Sequence, residues 1–201
     1  MTGADGLLLA TGAAAVVDWL AVARESRPLE WVAKPATLGL LLLWAGLGPG
    51  ASWPLLAALT LSLLGDVYLM LPADLFLPGL LAFLFAHVAY IAAFDATPLS
   101  RGIWFVIVLA VSAPLSLRLL RAAPDAALRV AVGVYMLVIA LMVGSAIGSG
   151  MLIAALGALL FMASDSMIAL SRFVTPFAGA RLAIIVTYHV GQVMLVWALR
   201  G

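Results

Sequence analysis

Two aspartates occupy positions where a charge is costly. Asp66 lies in LSLLGDVYLML and Asp165 in LLFMASDSMIAL, each within an apolar stretch. A charged side chain at the centre of a membrane helix costs roughly 2.5–3.5 kcal/mol on insertion scales, so it faces protein and serves a purpose. Capping or bracing a neighbouring helix is one such purpose, but serine or asparagine would serve it with less desolvation. Two acids in one low-dielectric site cannot both ionise easily, so one keeps its proton near neutral pH. Such a pair suits acid–base chemistry or ion binding. Asp18, followed by Trp19, reads as a weaker case at the membrane interface.

Other polar residues accompany the acids. His87 lies in FLFAHVAYIAAF with Phe83, Tyr90 and Phe94 three to seven residues away along the helix. A lone membrane histidine is often a packing residue; beside two acids it is a candidate proton carrier or orienting group. Tyr188 and Gln192, one turn apart in VTYHVGQVML, form a second polar stripe. His189 points about 100° away from Tyr188. Lys34-Pro35 is expected to open a span at the cytoplasmic boundary, with proline in the first turn and lysine as an anchor or ligand. GSAIGSG at 144–150 carries small residues at helix-packing spacing. No Gly-rich phosphate loop, GxSxG or HExxH occurs. With no cysteine and two histidines the chain is short of nitrogen and sulfur ligands for catalytic zinc, so neither metal nor cofactor is expected.

The elements that must carry these residues follow from hydropathy. Of the 201 residues 66% are hydrophobic and 9% charged, where a soluble chain is nearer half apolar and a quarter charged. Lipid is therefore the solvent, and the net charge of +1 offers nothing to nucleic acid. The expected fold is all-α, a single integral-membrane domain over 1–201. Eight spans are expected, near 7–23, 34–47, 52–71, 76–95, 101–120, 126–147, 150–171 and 180–199; seven with 34–47 re-entrant is the rival count. The first segment lacks a basic n-region, so it reads as a retained span rather than a signal peptide.

Basic residues give an independent check on orientation. Arg24, Arg27, Lys34, Arg118, Arg121, Arg129, Arg172 and Arg181 follow odd-numbered spans, against Arg101 and Arg200 on the other side. Both termini are then non-cytoplasmic, and a bacterial inner membrane is the expected location. Gly65-Asp66 and Ser164-Asp165 are 99 residues apart, and His87 and His189 are 102 apart, which hints at a 4+4 parallel repeat. Each acid then sits about five residues from the cytoplasmic end of its span, and the two are expected to face one polar cavity opening toward the cytoplasm.

At this point the motifs line up. Lys34-Pro35, Gly65-Asp66, Phe76-x-x-Gly79 followed by Phe83, Ala86-His87-x-x-Tyr90, Ser164-Asp165 with Arg172-Phe173, and Tyr188-x-x-Gly191-Gln192 occur in order from about residue 34 to 195. Together they resemble the YhhN-like lysoplasmalogenase family. His189 departs from the pattern, standing where that family usually carries a tyrosine.

The resemblance implies an enzyme acting on a lysophospholipid, hydrolysing the vinyl ether bond of lysoplasmalogens to a fatty aldehyde and a glycerophospho-base. Asp66 and Asp165 would supply the acid and its anionic partner, in an order the residues leave open. His87 and Tyr90 would orient groups or relay protons, Tyr188 and Gln192 would hold water or substrate, and Lys34 would meet the phosphate. Vinyl ether hydrolysis begins with slow protonation of carbon and passes through an oxocarbenium ion, which suits an acid beside a carboxylate. The alternatives are a proton- or cation-coupled transporter and a hydrolase of another lysolipid. The aspartyl-protease reading lacks its Tyr-Asp partner and Pro-Ala-Leu motif.

Overall fold

An apolar stretch of 18 residues or more can satisfy its backbone within the one segment in lipid by forming a helix. The computed structural model describes residues 3–200, and every regular element among them is a helix: α1 (Gly3–Ala23), α2 (Arg27–Gly46), α3 (Trp53–Met70), α4 (Phe76–Ala93), α5 (Pro98–Ala122), α6 (Ala126–Gly148), α7 (Leu152–Phe173) and α8 (Ala180–Arg200). Seven of these are long and apolar enough to cross a membrane, and α2 is the exception. The chain is an all-helical integral-membrane protein.

The second helix differs from the short span expected at 34–47. It begins at Arg27, because Pro28 sits in its first turn, where a missing N–H costs nothing. Lys34 is consequently two turns inside the helix, and Pro35 is an interior proline rather than the opening residue. Arg27, Glu30 and Lys34 in the first two turns explain why α2 falls outside the apolar set. Its buried stripe, Glu30, Ala33, Thr37, Leu38, Leu41, Trp44 and Ala45, keeps helical periodicity, so it packs as a protein-facing helix.

The chain divides into two units. One runs through α4 to Ala93 and takes in the last turn of α8 from Val196; the other runs from Phe94 to Leu195. In the first, α1–α2 and α3–α4 are hairpins, and α2 packs on α3. The α3–α4 contact is close, since a Cβ on Gly65 would lie 2.7 Å from the Phe83 ring. The last turn of α8 belongs here through Arg200, whose Nε donates to Trp44 O at 3.0 Å and whose guanidinium lies 4.1 Å from the Trp44 ring centre.

In the second unit, α5–α6 is a hairpin and α7 packs on both helices. Thr97 caps α5 by accepting from Ser100 N, and Asp125 caps α6 by accepting from Leu128 N. The α7–α8 crossing is backbone against backbone: a Cβ on Gly157 would lie 2.9 Å from Gly191 O, and one on Gly191 would lie 2.9 Å from Gly157 O. Small residues allow this approach in lipid, where dispersion and weak polar contacts replace the hydrophobic effect. The outward faces of the helices carry exposed apolar side chains such as Leu43, Phe85, Val111 and Val130, suited to lipid contact.

Candidate active site

In the first unit the polar residues gather on the inner faces of α1–α4. Asp66 is buried in α3, one turn from its end at Met70, and its Oδ1 lies 3.0 Å from Lys34 Nζ on α2. The pair is nearly dry, with the Asp66 side chain 2% and the Lys34 side chain 14% exposed. A buried carboxylate is tolerable only when so compensated. Lys34, expected at the membrane edge, is thus turned onto the acid. Ser62, one turn before Asp66 on the same face of α3, buries its Oγ without a hydrogen-bond partner.

His87 and Tyr90 are fully buried on the face of α4 that also carries Gly79, Phe83 and Ala86. Gly79 and Gly65 make that face fit: a Cβ on Gly79 would lie 2.7 Å from Leu69 Cδ2. Asp18 is fully buried as well, one turn and a half from the end of α1, so its carboxyl faces protein. It shares its helix face with Thr11, Ala15 and Val22, whose spacing keeps it inward. The first unit therefore buries two aspartates, Asp18 and Asp66, and also Glu30, which lies 3.6 Å from the exposed guanidinium of Arg27.

In the second unit the arrangement differs. Asp165 is half-buried on α7, and its Oδ2 accepts a hydrogen bond from the Tyr135 hydroxyl of α6 at 2.5 Å. The preceding residue, Ser164, donates to Ile184 O of α8 at 3.0 Å. Adjacent helical residues diverge by about 100°, so the Ser-Asp pair ties α7 to α8 with one side chain and to α6 with the other. Asp165 lies eight residues before the end of α7 at Phe173, whereas Asp66 is four from the end of α3. The equal distance expected from the sequence is therefore not seen, because α7 runs on through Ser171 and Arg172.

Tyr188 and Gln192 are both buried and meet as their spacing predicts, with Gln192 Nε2 donating to Tyr188 Oη at 3.4 Å. Phe161 of α7 meets the Tyr188 ring edge to face, centres 5.2 Å apart at 86°. His189 is buried too, its ring centre 5.5 Å from that of Tyr188. Among the described residues no group of three or more His, Cys, Asp or Glu is placed to hold a metal ion.

The profile of the YhhN family matches residues 29–199. The chain belongs to the YhhN family. Human lysoplasmalogenase TMEM86B is 40% identical over 138 residues, 69% of this chain and 59% of that protein. Its pig counterpart is 37% identical over 148 residues, 74% of this chain and 64% of its own. The rat protein of that name is 35% identical over 178 residues, 85% and 74%. The chain thus spans about three fifths of the length of the first two curated relatives it matches. No solved structure matches.

Every residue singled out from the sequence for the site, Lys34 to Gln192, falls inside the YhhN-matched stretch. Asp18 lies before it. Tyr135 is the residue that sequence reading passed over. Its signal was a phenol in the centre of an apolar span, AVGVYMLVI, where the hydroxyl must find a partner.

Proposed function

We propose that this YhhN-family chain is a membrane hydrolase that opens the vinyl ether bond of lysoplasmalogens. The observation that carries this is a dry Lys34–Asp66 ion pair at 3.0 Å within a chain whose relatives bear the name lysoplasmalogenase. A carboxylate set beside an ammonium in this way is fitted to stabilise a cation on the reaction path. Asp66 therefore takes the anionic role, and Asp165 the acidic one.

Asp165 transfers its proton to the β-carbon, the double-bond electrons forming the new C–H bond. An oxocarbenium ion results, with positive charge shared by the α-carbon and the ether oxygen. Asp66 stabilises it and accepts a proton as water adds to the α-carbon. The hemiacetal then collapses: its C–O bond to glycerol breaks, the hydroxyl proton leaves, and the glycerol oxygen gains one. Aldehyde and glycerophospho-base depart, and each aspartate returns to its starting protonation by exchange with water. His87 and Tyr90 orient groups or relay protons, while Tyr188 and Gln192 hold water or substrate. Lys34, with two donors beyond the one aimed at Asp66, meets the phosphate.

All eight helices cross in this reading, α2 included, with both termini non-cytoplasmic, in a bacterial inner membrane. Purified protein is incubated with alkenyl, alkyl and acyl lysolipids, and the products are read by mass spectrometry. Aldehyde from the alkenyl lipid alone is expected, because a saturated ether has no carbon to protonate. Acyl cleavage would identify a hydrolase of another lysolipid. Lipid or ion uptake into proteoliposomes without any product would identify a transporter.

A further inference from the structure

The Tyr135–Asp165 hydrogen bond belongs to neither the motif set nor the roles above. Tyr135 sits on α6 and is 7% exposed, so its hydroxyl has been taken from water and must be satisfied by protein. It reaches Asp165 Oδ2 at 2.5 Å, the short end of O–H···O contacts. Asp165 itself is held from the other side of its helix, since Ser164 Oγ ties the backbone there to Ile184 O at 3.0 Å. One carboxyl oxygen of Asp165 is thereby fixed by a phenol donor.

We infer that Tyr135 is a positioning residue that holds the Asp165 carboxyl by Oδ2, so that Asp165 delivers its proton from Oδ1. This rests on the proposed role of Asp165 as the acid. A phenol donating to Oδ2 selects the tautomer in which Oδ2 is the carbonyl oxygen and Oδ1 carries hydrogen. It also removes rotation about the carboxyl, so the acid begins its transfer already oriented. Substrate need not touch Tyr135, whose effect passes through Asp165 alone.

Two readouts on the full-length protein in detergent micelles test this. In infrared difference spectra, a carboxylic-acid carbonyl band lost in Asp165→Asn identifies Asp165. Tyr135→Phe should move that band to higher frequency, as a carbonyl does when it loses a hydrogen bond. In turnover, Tyr135→Phe should lower kcat roughly 10- to 100-fold with KM nearly unchanged. In an Asp165→Asn background the same substitution should cost nothing further, because the two act as one unit.

A stationary band, full activity in Tyr135→Phe, or additive losses in the double variant would each overturn the inference. A band that shifts in a protein without vinyl ether turnover would sink the proposed reaction and leave the positioning role standing. A protein that cleaves the vinyl ether with a stationary band would do the reverse. Should Tyr135→Phe fail to fold, Tyr135→His carries the test: its ring N–H should keep the band low, and an unbonded carbonyl frequency with full turnover overturns the inference.

Discussion

Asp66 on α3 and Asp165 on α7 each follow a small residue, yet they live in different surroundings. Asp66 is dry and faces an ammonium at 3.0 Å; Asp165 is half-buried and faces a phenol at 2.5 Å. The flanking small residues differ in the same way. Gly65 makes room for a side chain, the Phe83 ring, while Gly157, two turns before Asp165, makes room for the backbone of α8. Likeness of local sequence is thus no guide to chemical equivalence. A charge partner fixes the ionic form of an acid, and a hydrogen-bond partner fixes its orientation.

That contrast can be broken most forcefully at Lys34. Lys34→Met leaves the Asp66 carboxylate buried without its cation and should destabilise the protein by about 3–5 kcal/mol, read by denaturant unfolding in micelles. The Lys34→Met, Asp66→Asn double variant should recover most of that loss. If the single variant is as stable as wild type, the pair does not carry the buried charge, and the anionic role of Asp66 goes with it.

Asp66→Asn and Asp165→Asn are nearly isosteric, so each should fold while losing at least about 100-fold in vinyl ether turnover, the lower range for a general acid or base. His87→Ala should lose less, as an orienting residue would. Chelators should leave the rate unchanged, and inactivation reversed by zinc would replace this mechanism with a metal-dependent one.

The two glycines sharpen the comparison at smaller scale. Gly157→Ala pushes a methyl against the Gly191 carbonyl and can be relieved only by moving a helix, at a cost of about 1–3 kcal/mol. Gly65→Ala meets the Phe83 ring, which can tilt, and should cost less. The reverse order in thermal unfolding would mean that α3–α4 is the more rigid contact. Smallest of all, Arg27→Gln removes a half-exposed partner 3.6 Å from Glu30 and should change stability by less than about 1 kcal/mol.

Much of this was written locally in the chain. The cost of an unpaired backbone in lipid turns each long apolar run into a helix, so the all-helical fold, the order of its helices and the inward Asp66 were legible in the sequence, and seven of the eight expected spans are long and apolar enough to cross. The one-turn spacing of Tyr188 and Gln192 foretold their hydrogen bond, since both ride one helix. Partner choice was not legible. Lys34 and Asp66 are 32 residues apart and Tyr135 and Asp165 are 30 apart, on different helices in each case. Which side chains meet there depends on how far each helix rotates and slides against its neighbour. In lipid that is decided by close-packed contacts such as Gly157 on Gly191, where an ångström of backbone approach determines the register, and hydropathy is nearly indifferent to it. Asp18 shows the same limit: its local sequence did not fix which way it faces, and the fold buries it completely.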